Sequence, residues 1–169
     1  MKLLAETEIE VNAINWDQLA PTFRRATKNM TLATLACQEI LKTLPESVCK
    51  NEISVVLGTH FGEVPSTLDF LTGVTASPTL FQNSLHNSTL GFVTVTLGFT
   101  GPAVTVSCDR ETLPAVQAVA ESLLLLTPYT LVCLVDYVPA ALKGLYLKNQ
   151  PFAENHVDKA TCSLFARGQ

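Results

Sequence analysis

Five cysteines and three histidines are the side chains of this sequence best suited to nucleophilic or acid–base chemistry. A cysteine nucleophile needs an ionised thiol and a base within hydrogen-bond reach. Cys108 alone stands in a polar setting at an expected helix start, within Ser107-Cys108-Asp109-Arg110. There the unpaired N–H groups and the helix dipole lower a thiol's pKa and can hold an oxyanion. Arg110 would help, whereas Asp109 and Glu111 place two carboxylates beside the thiol. The plainer alternative makes Asp109 a helix cap and Cys108 a core residue that precedes it. As bases, His60 and His86 fall in loops between a strand and a helix, where functional residues collect. His86-Asn87 could equally be a structural hydrogen-bonded pair, and His156 lies in a polar loop and reads as solvated.

The remaining cysteines suggest less. Cys37, Cys133 and Cys162 sit in apolar stretches and read as small core residues, and Cys49 beside Lys50 reads as a loop residue. No two cysteines are closer than 12 positions, so there is no CxxC unit, and neither a metal site nor a disulfide framework is expected. His60-Phe61-Gly62-Glu63 lacks the second histidine of a zinc motif. Gly58, Gly62 and Gly73 have the wrong spacing for a nucleotide loop, so no cofactor is expected.

These residues need elements to hold them. Residues 7–16 alternate as a first strand. A helix over 31–44, capped by Asn29 or Thr31, carries a stripe of Leu32, Leu35, Ala36, Ile40 and Leu44 and stops before Pro45. Residues 52–58 form a near-continuous apolar strand, the mark of one covered on both faces. A helix over 64–73 follows. Residues 92–97 alternate β-branched side chains and locally favour a strand. After the Gly101-Pro102 turn, Ala103–Val106 is a short strand. Ser107 or Asp109 then caps a helix to about Leu126, apolar except for Gln117, Glu121 and Ser122, and expected inside the domain. Strands over 129–136 and 160–166 flank a short helical stretch over 139–150. Strands alternating with helices predict an α/β fold with a parallel or mixed sheet.

With 169 residues, the chain is the size of one domain. Apolar residues make up 47% and charged ones 15%, so a face buried by a partner is expected. A net charge of -4 argues against nucleic acid or an anionic membrane as ligand. No apolar run approaches the ~20 residues of a spanning helix. The apolar run at the N-terminus is too short for a signal peptide, and a cytoplasmic location is expected.

GPAVTV, the polar corner and TLPAVQAVAESLLL together resemble the β-ketoacyl synthase segment GP-x-x-T-V-x-x-A-C-S-S-S-L-x-A-x-x-x-A, in which a cysteine at the start of a buried helix takes the acyl chain. VVLGTHFGEVPSTLDFL resembles that family's second strand and helix, and RRATKNMTLATLACQEILK its first helix. SPTLFQNSLHNSTLGFVTVTLGFTGP resembles its dimer-contact segment. The likeness runs from about Phe23 to Ala166 and extends to short ketosynthase-like proteins that contain only the N-terminal half. It implies half of a thiolase-like fold over residues 1–169: a five-stranded mixed sheet, order 3-2-1-4-5, with helices on both faces. Residues 84–98 become helical, and Ala103–Val106 becomes an edge strand that pairs across a two-fold axis. Phe81, Asn83, His86, Asn87, Gly91, Ala103, Val104, Thr105 and Val106 then form a dimer interface.

The departures from the family bear on function. Alignment on Leu113, Ala115 and Leu123 puts Asp109 at the nucleophile position, alignment on Gly101-Pro102 puts Arg110 there, and Cys108 reaches it in neither. The family's two catalytic histidines lie in a C-terminal half with no counterpart in this sequence. The resemblance therefore implies a non-catalytic, chain-length-factor-like subunit paired with an active ketosynthase in fatty-acid, polyketide or aryl-polyene-type biosynthesis. The alternatives are a Cys108-dependent acyl transferase or thioesterase with His86 as base, and a self-associating module that binds an acyl carrier protein.

Overall fold

The computed structural model describes residues 1–45, 47–73, 75, 77–149, 155 and 157–168; His156 lies outside them. Five strands form one mixed sheet: β1 (Lys2–Glu10), β2 (Ile53–Gly58), β3 (Ala103–Val106), β4 (Tyr129–Asp136) and β5 (Lys159–Ala166). Their order across the sheet is β1-β5-β4-β2-β3. β2 is parallel to both β3 and β4, and β5 is antiparallel to β4 and β1. The sheet class and the place of β3 at an edge beside β2 agree with the sequence reading. The first strand differs from the 3-2-1-4-5 order: it lies at the far edge against β5, not between β2 and β4. It also covers Lys2–Glu10, earlier than the expected 7–16, which ends in short 3-10 turns at Val11–Ala13 and Trp16–Gln18. Burial explains both positions. All six residues of β2 are buried, as a central strand requires, whereas β1 alternates exposed and half-buried residues as an edge strand does.

Helices α1 (Lys28–Leu41) and α4 (Ser88–Leu97) cover one face, where Leu32, Ala36, Ile40, Leu90, Val93 and Leu97 join the inner side chains of the sheet. The α1 cap is Thr27, upstream of the expected Asn29 or Thr31. Its Oγ1 accepts from Met30 N at 3.1 Å, while Asn29 turns inward and donates Nδ2 to Gly62 O at 2.8 Å. α2 (Val64–Thr72) and α3 (Pro78–Asn83) connect to α4. α4 confirms the helix that the resemblance implied over the strand that local propensity favours. Leu90, Val93 and Leu97 recur at helical spacing and are buried against α1, so packing overrides the β-branched bias. Gly98 ends the helix in the left-handed region, φ +72.

The opposite face carries α5 (Thr112–Leu123), and α6 (Ala140–Asn149) packs Leu142 and Tyr146 near Phe61 and Val138. α5 departs from expectation. It is not inside the domain: Thr112, Val116, Ala120 and Leu123 are buried over β2 and β4, while Leu113 faces outward, and Leu125 and Leu126 just past its end are 76% and 69% exposed. Among the described residues one layer of helix covers this face, and no further layer buries the outer apolar side chains. No helix of the described residues is long and apolar enough to cross a membrane.

Candidate functional site: a polar corner and an open sheet edge

The C-terminal ends of the parallel strands β2, β3 and β4 meet, and their loops gather the polar residues. Thr59 N donates to Val106 O at 3.1 Å, which ties the turn after β2 to the end of β3. Asp136, 1% exposed at the end of β4, organises that turn. It accepts from Thr59 Oγ1 (2.6 Å), from the backbone N–H groups of His60 and Phe61 (both 2.9 Å), and faces His60 Nδ1 at 2.9 Å. Thr59 Oγ1 in turn accepts from Gly62 N at 2.8 Å. Gly62 has φ +55, and a Cβ there would lie 2.5 Å from His86 Nδ1, so the absent side chain leaves room for the imidazole.

A second polar cluster lies below this turn. Glu63 is 2% exposed. Its Oε1 accepts from Thr27 Oγ1 at 2.9 Å and from Thr89 Oγ1, and its Oε2 accepts from Ser66 Oγ at 3.3 Å. The carboxylate therefore joins the starts of α1, α2 and α4. Burial pushes its pKa up, against the pull of the three hydroxyls.

At the corner after β3 the structure separates what the sequence placed together. Asp109–Glu111 form a 3-10 turn, and α5 begins only at Thr112. Cys108 is exposed; it precedes the 3-10 turn and lies four residues before α5 begins. Neither Ser107 nor Asp109 caps α5. Thr112 Oγ1 instead accepts from Cys108 N and donates to Asp109 O, both at 2.9 Å. The tight bend falls on Asp109, whose φ is 50, a left-handed position that Asp tolerates better than most residues. Arg110 is exposed beside it. Among the described residues no histidine hydrogen-bonds the Cys108 thiol, and His86 packs against Gly62. Among the described residues the corner holds a bend and no thiol–imidazole pair of the kind that acyl transfer to cysteine uses.

The interface residues named from the sequence lie along α3, α4 and β3. Phe81 is 51% exposed and rests on Phe70 with ring centroids 5.5 Å apart; Asn83 Nδ2 donates to Arg25 O at 3.3 Å. His86, Asn87 and Gly91 are exposed, and a side chain at Gly91 would meet nothing within 4 Å. A groove of about 610 Å³ runs past Asn83, Leu85, Asn87, Gly91, Phe92 and Val95, and Val95 is 83% exposed. On β3, Val55 N donates to Pro102 O and Thr59 N to Val106 O, so the even-numbered residues bond to β2. Alternation in a parallel ladder then turns the N–H and C=O groups of Ala103 and Thr105 away from β2, toward the open edge. Val104 is 37% exposed, and the Thr105 hydroxyl is buried without a hydrogen-bond partner.

Sequence reasoning missed the Asp136–His60 contact and the Glu63 cluster. A lone acidic residue closing the apolar run of β4 was the available signal, because loops at the carboxyl ends of parallel strands collect polar sites.

A five-stranded mixed sheet between helical layers, with a bend between an edge strand and the next helix, is the architecture of half of a thiolase-like fold. The sequence matches the family described as β-ketoacyl synthase, N-terminal domain, over residues 4–155, and the chain belongs to that family. Solved structures agree on the fold. A chain in the complex of the ketosynthase ApeO with its chain length factor ApeC from Xenorhabdus doucetiae superposes with TM-score 0.78 at 17% identity, over 99% of this chain and 79% of that one. The ishigamide ketosynthase/chain length factor gives 0.66 at 16% identity, over 90% of this chain and 47% of that one. A type II polyketide synthase acyl-carrier protein in complex with its ketosynthase, AntDE:AntF, gives 0.68 at 15%, over 90% and 51%. The chain thus spans about half the length of the latter two. No curated protein sequence matches it.

Proposed function

We propose that residues 1–169 form a single ketosynthase N-terminal-like domain that acts as a non-catalytic subunit. It pairs with an active β-ketoacyl synthase, in the manner of a chain length factor, in fatty-acid, polyketide or aryl-polyene-type biosynthesis. The observation that carries this reading is the edge of β3: four uncharged residues, of which Ala103 and Thr105 turn their backbone groups off the sheet, on a chain that also exposes Val95 and the groove of α4. Such an edge invites pairing unless something covers it. The similar structures of ketosynthase–chain length factor pairs support the choice of partner. An acyl carrier protein is expected to meet the assembled pair.

Catalysis resides in the partner on this reading. Cys108 lies four residues before α5 and has no hydrogen-bonded histidine among the described residues, so Cys108→Ala changes stability by no more than about 0.5 kcal/mol and leaves the activity of the pair unchanged. Formation of an acyl adduct on Cys108 with a thioester substrate, seen by mass spectrometry, would favour the acyl-transferase alternative instead. Co-expression with candidate ketosynthases tests the pairing. A stable 1:1 complex is the expected product, and a chain that stays alone or pairs solely with itself would overturn the proposal.

A further inference from the structure

Three cysteines distant in the sequence converge in the core. Cys37 projects from α1, Cys133 from β4 and Cys162 from β5, the last two directly opposite in the antiparallel register. Their Sγ atoms all lie within 4.8 Å of one another, and Cys162 Sγ is 3.9 Å from Cys37 Sγ. Exposure is 0%, 1% and 0%. Packing as small apolar residues requires burial alone; it does not require three sulfurs from three elements to face one point.

We propose that Cys37, Cys133 and Cys162 form a three-sulfur site for a soft monovalent cation, Cu(I). First-row metal–thiolate bonds of about 2.3 Å place trigonal sulfurs about 4 Å apart, close to the observed spacing. Among the described residues no His, Asp or Glu joins the cluster, so the donor set is all sulfur and three in number. Zinc sites are four-coordinate, and magnesium and calcium take oxygen ligands, whereas copper(I) accepts soft thiolates. The surrounding side chains, including Ala33, Ala36, Leu131 and Leu164, are apolar and buried, so solvent cannot supply a fourth ligand.

Binding moves no electron: Cu(I) bonds the three sulfurs, and one proton leaves for each thiol that ligates as thiolate. The metal would tie α1 to the β4–β5 pair and stabilise the folded chain by linkage.

The test is anaerobic titration of the reduced protein with Cu(I) held by a chromogenic chelator. It is run on the native chain and on chain refolded with the copper complex, because the site has no open path. One copper per chain, a near-ultraviolet thiolate-to-copper band, a raised Tm and three sulfur scatterers at about 2.3 Å by X-ray absorption are expected. Cys162→Ser is expected to lose the band, and Cys49→Ala/Cys108→Ala to keep it. No transfer to either form, loss only in the Cys49→Ala/Cys108→Ala variant, or preferential binding of zinc would overturn the proposal. If Cys162→Ser fails to fold, the sulfur count in the unmodified protein decides alone.

Discussion

The two edges of the sheet are built differently. β1 closes one edge with nine residues, among them Lys2, Glu6, Glu8 and Glu10. Glu8 Oε2 accepts from Lys159 Nζ at 2.8 Å and Glu6 Oε1 from Ser163 Oγ at 2.8 Å. Charges on an edge strand discourage a further strand from docking. β3 closes the other edge with Ala103-Val104-Thr105-Val106, which carry no charge, beside a helix that exposes Val95. The contrast teaches that the two edges differ in charge: β1 carries groups that discourage a further strand, and β3 carries none.

The largest expected effect comes from proline on β3. Thr105→Pro removes an N–H that points off the edge, so the chain keeps its fold while the ketosynthase pair fails to form, as size-exclusion chromatography would show. Val104→Pro is the control: it breaks the ladder to β2 and costs about 1–3 kcal/mol of stability in the isolated chain. If Thr105→Pro pairs normally, β3 is not the contact. Val95→Glu should follow, weakening the pair by about 2 kcal/mol, or roughly 30-fold in Kd by calorimetry, with unchanged circular dichroism.

The converse experiment is to remove charge from the closed edge. Glu6→Val/Glu8→Val should make β1 adhesive and yield concentration-dependent self-association in light scattering; a strictly monomeric variant would show that charge does not protect that edge. The smallest effect is expected at Glu63, which seats α4 behind the β3 face. Its folded pKa is raised, so the folded chain binds this proton more tightly than the unfolded chain. That stability is fully present below the ordinary value of 4.5 and is lost as pH rises through the raised folded value. Glu63→Gln keeps an acceptor for Thr27 and Thr89 but does not titrate. Its Tm advantage over the parent should therefore grow across that window, and a pH-independent difference would contradict the assignment.

Local pattern made much of this fold legible. β2 and β4 are continuous apolar runs, and the polar corner after GPAVTV is where the chain bends. What was not legible depends on contacts between distant elements. Residues 92–97 look like a strand in isolation, and their helix follows from packing on α1. β1 hides in the first ten residues because its edge position is set by pairing with β5 at the other end of the chain. α5 reads as buried because apolarity does not say whether the covering layer belongs to the same chain. At the corner the residue types were visible, but the 3-10 turn that carries Cys108 away from the helix start was not. Asp136, Glu63 and the three converging sulfurs stand where they do because of sheet register, which no local window contains.

The central claim is that β3 is an edge made to be continued by a ketosynthase strand. Residue-resolved amide hydrogen exchange with and without the partner tests it most directly. In the isolated chain Val104 and Val106, which donate into β2, should exchange slowly while Ala103 and Thr105 exchange fast. The pair should show new protection at Ala103 and Thr105 in that alternating pattern. A stable complex in which those two amides still exchange as fast as in the free chain would contradict the account.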